Sequence, residues 1–172
     1  MSGAKSSFPP EAGPGTRLLI LGSLPGEVSL ARSQYYAYPQ NQFWRLVGIV
    51  IDVDLPSLDY AGRLAALKRA GVGLWDVIKT ANRVGSLDQH IRDHAPNPLA
   101  AFAASLPRLE VVAFNGEKAW KIGSAQLQWD GAPRLVRLPS SSPAHTLAFE
   151  RKLAAWLELK AFLSPAAAGN GP

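Results

Sequence analysis

Four short apolar runs, at residues 18–21 (LLIL), 72–77 (VGLWDV), 111–114 (VVAF) and 135–138 (LVRL), recur along this chain with an amphipathic stretch before each next one. Aliphatic continuity without a clean polar alternation fits strands covered on both faces. Strands that alternate with helices pair in parallel, because each connection has to cross back over the sheet. The pattern therefore predicts an α/β chain: a three-layer α/β/α sandwich around a central four-stranded, mainly parallel sheet. Phe43, Leu46, Val47 and Val50 fall at helical spacing, and residues 58–70 carry Leu64 and Leu67 under a basic outer face. Residues 98–106 read as a helix with Asn97 as its cap and Pro98 at its first position. Residues 117–122 form a short helix, and Leu147, Leu153, Trp156, Leu157 and Phe162 mark a long closing one.

The 172 residues suit one domain over 16–163, large enough to bury about 70% of its unfolded surface. Residues 1–15, rich in Ser, Gly and Pro, read as a disordered lead rather than a signal peptide, and 164–172 as a frayed tail. No cysteine is present, which excludes thiolate catalysis, cysteine-ligated zinc and an iron–sulfur cluster. With no window apolar enough for a membrane span, a cytoplasmic protein is expected. Eighteen Lys and Arg against thirteen Asp and Glu, a formal charge of +5, favour a polyanionic partner without naming one.

In open α/β sheets ligands bind beyond the carboxyl ends of the strands. Three segments fall there. GSLPGEVSLARSQYYAYPQNQFW (22–44) is a glycine- and proline-bent loop with three tyrosines, suited to gripping a flat ring. Asn115-Gly116 offers a fixed amide for the edge of a heterocycle, although an Asn-Gly pair alone is a common turn. Ser140, Ser141 and Ser142, held between Pro139 and Pro143, supply hydroxyls and N–H groups suited to a phosphate, or to capping the helix that follows. His90, His94 and His145 lack metal-binding spacing, so no metal is expected. No Gly-x-Ser-x-Gly elbow, P-loop or dinucleotide fingerprint occurs.

Taken in order, GSLPG, YYAYPQNQFW, AFNG and LPSSSPAH resemble the motifs of the uracil-DNA glycosylase superfamily, closest to its hypoxanthine-DNA glycosylase branch and next to the mismatch-specific uracil/thymine glycosylases. GSLPG looks like the first motif, of the GINPG type. LPSSSPAH looks like the second, which in relatives reads NPSG, HPSP or MPSSS. Two departures matter. Leu24 stands where mismatch-specific relatives carry a water-activating asparagine, and Leu138 where classical members carry histidine.

The resemblance implies a monofunctional enzyme of base excision repair that flips a deaminated base (uracil, hypoxanthine, xanthine) from double-stranded DNA at a damaged or mispaired site and leaves an abasic site. It implies no cofactor and a monomer. Asn41, in the Pro-x-Asn-x-Phe-Trp segment, takes the catalytic position of the hypoxanthine branch and would orient water; the competing reading is a helix cap. Tyr36 would stack on the base, Asn115 would read its edge, and Gly22, Ser23 and Leu24 would line the pocket. Ser140, Ser141 and Ser142 would clamp phosphates, with Pro143, Ala144 and His145 near the vacated stack. Asp76, at the end of the second run, is the best-placed carboxylate, with Asp88 less well placed. No lysine lies in the motif segments to serve as a lyase nucleophile. Two rivals remain: a non-catalytic damage- or nucleotide-binding module on the same fold, and a hydrolase of free nucleosides or nucleotides.

Overall fold

The computed structural model describes residues 4–163. Its elements, in chain order, are β1 (Ala4–Ser6), β2 (Leu18–Gly22), α1 (Glu27–Arg32), α2 (Phe43–Ile51), α3 (Tyr60–Ala70), β3 (Val72–Asp76), β4 (Ile78–Asn82), β5 (Arg92–Pro96), α4 (Leu99–Ala104), β6 (Val111–Asn115), α5 (Glu117–Gly123), β7 (Arg134–Leu138) and α6 (Phe149–Leu157). The four apolar runs become β3, β2, β6 and β7, side by side in that order and all parallel. Leu18 sits opposite Val72 on one side and Val111 on the other, which puts β2 at the centre of the sheet.

Strand pleating divides each run between two cores. Leu18, Ile20, Leu74, Val111 and Ala113 face Phe43, Leu46, Leu67 and Trp156 from α2, α3 and α6. Leu19, Leu21, Val112 and Phe114 face Leu99, Ala103 and Ala119 from α4 and α5. This is the three-layer sandwich that the sequence predicts. It also explains why the runs lack polar alternation, since both faces of the sheet are covered.

Helix ends differ from the sequence expectation in local ways. α3 starts at Tyr60 because the Asp59 carboxylate accepts a hydrogen bond from the Gly62 N–H at 2.8 Å, and Leu58 stays outside. Asn97 is not a helix cap: its Nδ2 donates instead to the Asp76 carbonyl at 2.8 Å and to Ser7 Oγ at 3.0 Å. The closing helix is shorter than expected, passing at Glu158 into a 3-10 turn.

The larger difference concerns residues 4–15. β1 pairs antiparallel with β4, and β4 with β5, in a small second sheet for which the sequence pattern gives no signal. Beyond β1, the chain runs along the outer edge of β3, where Glu11 and Leu74 exchange both backbone hydrogen bonds at 2.9 Å. The Trp75 indole N–H reaches the Phe8 carbonyl at 3.0 Å, and the Tyr35 hydroxyl reaches that of Pro9 at 2.9 Å. Gly73 makes this approach possible, because a Cβ there would lie 2.8 Å from that of Ala12. Residues 4–15 are thus part of the domain. Residues 164–172, read as a frayed tail, lie outside the described residues.

Candidate active site

The carboxyl ends of β2, β3, β6 and β7 open into a cleft of about 940 Å³ that brings together Gly22, Tyr36, Asn41, Asp76, Asn115 and the 140–145 loop. All the residues expected to bind base or phosphate, and both candidate catalytic residues, border it.

One wall is a directed hydrogen-bond chain. Asn41 Oδ1 accepts from the Phe43 N–H at 3.0 Å and from Ser141 Oγ at 2.8 Å. Since a backbone N–H can only donate, the amide orientation is fixed: the oxygen faces the helix and Nδ2 is left without a protein partner among the described residues. The cap position of α2 is Gln42, so Asn41 lies one residue ahead of it and holds the first helical N–H from outside the helix, while its nitrogen remains available. Ser141 Oγ in turn accepts from Asn115 Nδ2 at 2.9 Å, and Asn115 Oδ1 accepts from the Ser141 N–H at 2.9 Å. The second Asn115 amide hydrogen points to the Tyr36 hydroxyl at 3.3 Å.

This chain changes two expected roles. Ser141 is only 1% exposed and its hydroxyl is occupied on both sides, so it joins the two asparagines instead of meeting a phosphate. Asn115 has both amide hydrogens and one carbonyl lone pair engaged, so it holds Tyr36 and Ser141 rather than presenting a free edge. Ser140 and Ser142 differ from Ser141. Their hydroxyl oxygens accept the N–H groups of Ser142 and Ala144 and leave the hydroxyl hydrogens to donate. Pro143, Ala144 and His145 are exposed at the rim. Beneath them the buried Lys152 donates to the Ser142 carbonyl at 3.0 Å, its pKa pushed down by burial.

Tyr36 adopts a left-handed backbone (φ 52°) that turns its ring onto Phe43, stacked at 3.7 Å between centroids and 11° between planes. Burial, and the Asp76 carboxylate beside it, raise its pKa, so the hydroxyl stays protonated. Because its oxygen accepts from Asn115, its own hydrogen is left for the cleft. A Cβ on Gly22 would lie 2.7 Å from Asp76 Oδ1 and 2.9 Å from the Tyr36 oxygen. Only glycine leaves room for both groups over the end of β2.

Asp76 is 4% exposed, and its Oδ2 is a buried oxygen with no hydrogen-bond partner among the described residues. Desolvation and then the Asp88 carboxylate raise its pKa to about 7, against a smaller opposing pull from Arg83. Asp88 accepts from Ser23 Oγ at 2.6 Å, and burial raises its pKa also. Leu24, in contrast, is 6% exposed and packed into the core against the sheet, and Leu138 is equally buried, so neither side chain enters the chemistry.

Sequence reasoning missed Arg83, Lys118 and Lys121. Arg83, 2% exposed, binds the carbonyls of Leu24, Pro25 and Gly85 and ties the GSLPG loop to the 83–88 loop, yet an arginine in a polar stretch reads as solvated. Tyr38, one of the three tyrosines of the 22–44 loop, stands exposed on the rim, its hydroxyl on Gln40. Lys118 and Lys121 of α5 also border the cleft, lysines that lie outside the motif segments. Among the described residues no His/Cys/Asp/Glu cluster could hold a metal ion, and no helix is long and apolar enough to cross a membrane.

Comparison with known proteins agrees with this architecture. The sequence profile of the Uracil DNA glycosylase superfamily matches residues 9–163. The chain is 42% identical over 154 residues to the Hypoxanthine DNA glycosylase of Methanosarcina barkeri, covering 90% of this chain and 96% of the relative. It is 39% identical over 152 residues to the Hypoxanthine DNA glycosylase of Methanosarcina acetivorans, covering 88% and 95%. The solution NMR structure of a Methanosarcina acetivorans protein assigned as a uracil DNA glycosylase superposes with a TM-score of 0.85 at 36% identity, over 95% of this chain and all of that one. A sheet whose strand ends carry GSLPG, Asn115 and LPSSSPAH around one cleft, matched along nearly its whole length, makes this chain a DNA glycosylase of the uracil DNA glycosylase superfamily.

Proposed function

We propose that this enzyme hydrolyses the N-glycosidic bond of hypoxanthine in duplex DNA, with uracil and xanthine as further substrates, acting as a monomer in the cytoplasm and without a cofactor. Two relatives that match nearly end to end bear the name Hypoxanthine DNA glycosylase. The observation that carries the mechanism is the pinned amide of Asn41, whose Oδ1 is held by Phe43 and Ser141 while Nδ2 faces the cleft unpartnered.

The flipped base enters between the GSLPG loop and the Tyr36 edge, leaving the sugar toward Asn41. An amide is too weak a base to deprotonate water, so Asn41 acts by orientation: Nδ2 holds the water oxygen and aims a lone pair at C1′. As the C1′–N bond breaks, its electron pair goes to the base and charge develops on the sugar; the water oxygen bonds to C1′ and sheds a proton to solvent. The chain Asn41–Ser141–Asn115–Tyr36 starts at Asn41 and ends at Tyr36, which with Asp76 flanks Gly22, so Asn41 is assigned to the water and Asp76 to the base. A carboxyl with a pKa of about 7 is half protonated at neutrality and supplies a proton to the departing base. The products are free base and an abasic site.

The test is single-turnover release from duplexes carrying one deoxyinosine, deoxyuridine or deoxyxanthosine. Asn41→Ala is expected to slow release by at least about 100-fold, with little change in duplex binding. Strand scission should require alkali, and no enzyme–DNA adduct should be trapped by borohydride. Trapping through Lys118 or Lys121 would overturn the monofunctional part. Tight binding of all three duplexes with no release would favour a damage-binding module, the reading that the leucines at 24 and 138 suggest.

A further inference from the structure

The 83–88 loop is held far more firmly than a surface turn needs. Arg83 is withdrawn from water to 2% exposure and donates to the carbonyls of Gly85, Leu24 and Pro25. Lys5 Nζ donates to the same Gly85 carbonyl at 2.7 Å, and Ser86 Oγ accepts the Glu27 N–H at 2.9 Å. At the loop's end the Asp88 carboxylate is fastened to Ser23. Desolvating a guanidinium is costly even when its hydrogens are bonded, so the anchoring must serve a requirement for rigidity.

What the anchored loop displays is apolar. Val84 is 68% exposed, the largest exposure among the large hydrophobic side chains described, and Leu87 is 41% exposed where it borders the cleft. Single exposed aliphatic residues are ordinary, but two on one stiffened tip, with Leu87 bordering the cleft and Val84 three residues before it, are not scattered. The tip follows β4 and is tied to the loop after β2, in the β3–β2 half of the sheet's carboxyl edge, whereas the 143–145 tip follows β7 at the other half.

We propose that Val84 and Leu87 form an apolar wedge that packs against the base faces exposed in the duplex when the target nucleotide leaves the stack. The proposal rests on the DNA glycosylase reading and adds a second duplex contact, distinct from residues 143–145. DNA fits because its sugar-phosphate backbone is charged and polar, and its large apolar surfaces are base faces that open when stacking is broken. A rigid tip is also the form such a wedge requires, since a mobile one would fold back onto the protein's own apolar surface.

The test compares wild type with Val84→Ser, a substitution exposed enough to leave the fold intact, and with Leu87→Ser. Hypoxanthine release is measured from a duplex and from the same strand alone, with 2-aminopurine fluorescence beside the lesion reporting unstacking in the duplex. Val84→Ser is expected to slow duplex release about tenfold and blunt the fluorescence rise, with release from the single strand unchanged. The fluorescence decides the matter if wild type acts on duplex alone. Equal losses on both substrates, or wild-type rates and fluorescence throughout, would overturn the wedge. A wild type that releases base from neither substrate would instead overturn the glycosylase reading beneath it.

Discussion

At the residue scale the group with the most to say is Asp76. Its folded pKa of about 7 lies above the ordinary value of 3.8, so between about pH 4 and pH 7 the folded protein holds a proton that the unfolded chain releases. Stability from this site is therefore greatest at the acid end of that window and declines as pH rises through 7. Asp76→Asn should melt higher than wild type at pH 8, with the gap closing toward pH 4. The same proton gives the kinetic expectation: single-turnover base release should fall as pH rises through about 7, and Asp76→Asn should flatten that limb. A wild-type rate that climbs through pH 7 would make Asp76 a base rather than an acid. Asp76 was readable as a candidate from its place at a strand's end. Its altered acidity was not, because that comes from Gly22, Tyr36 and Asp88 closing around it from three separate segments.

At the element scale β1 and the segment after it bind the chain's start to the rest. β1 is a sheet edge, and residues 7–11 contact Asn97, Trp75, Tyr35 and Leu74 by hydrogen bonds. Removing residues 1–9 should lower the melting temperature by about 5 °C or more, since several buried partners would lose their bonds at once. Loss of Lys5 would also loosen the 83–88 loop. The sheet β3-β2-β6-β7 was legible because a strand covered on both faces must be written in aliphatic residues. The small sheet was not. β5 is RDHAP, exposed throughout, and β1 is three residues paired with a strand more than seventy positions away, so neither carries a local period. α1 was hidden for a related reason, since its six residues follow directly on Pro25-Gly26 and are too short to show a helical period.

At the scale of the whole molecule, the formal charge of +5 and the lysines beside the cleft argue for a partner with many phosphates. Affinity for an abasic duplex should fall at least about tenfold between 50 and 200 mM salt, with a linear dependence of log Kd on log salt. A salt-independent KM would point to free nucleosides instead. Motif order and strand-end placement made the contents of the cleft readable from sequence, whereas the wiring between its residues was not, because Asn41, Asn115 and Ser141 meet only through the folded sheet. That wiring limits how the enzyme can be re-engineered. Ser141 gives its hydroxyl hydrogen to one asparagine and receives a hydrogen from the other. Among side chains of its size only threonine can do the same, so a mutant library built to retarget base preference should vary positions 41, 115 and 141 as one cassette.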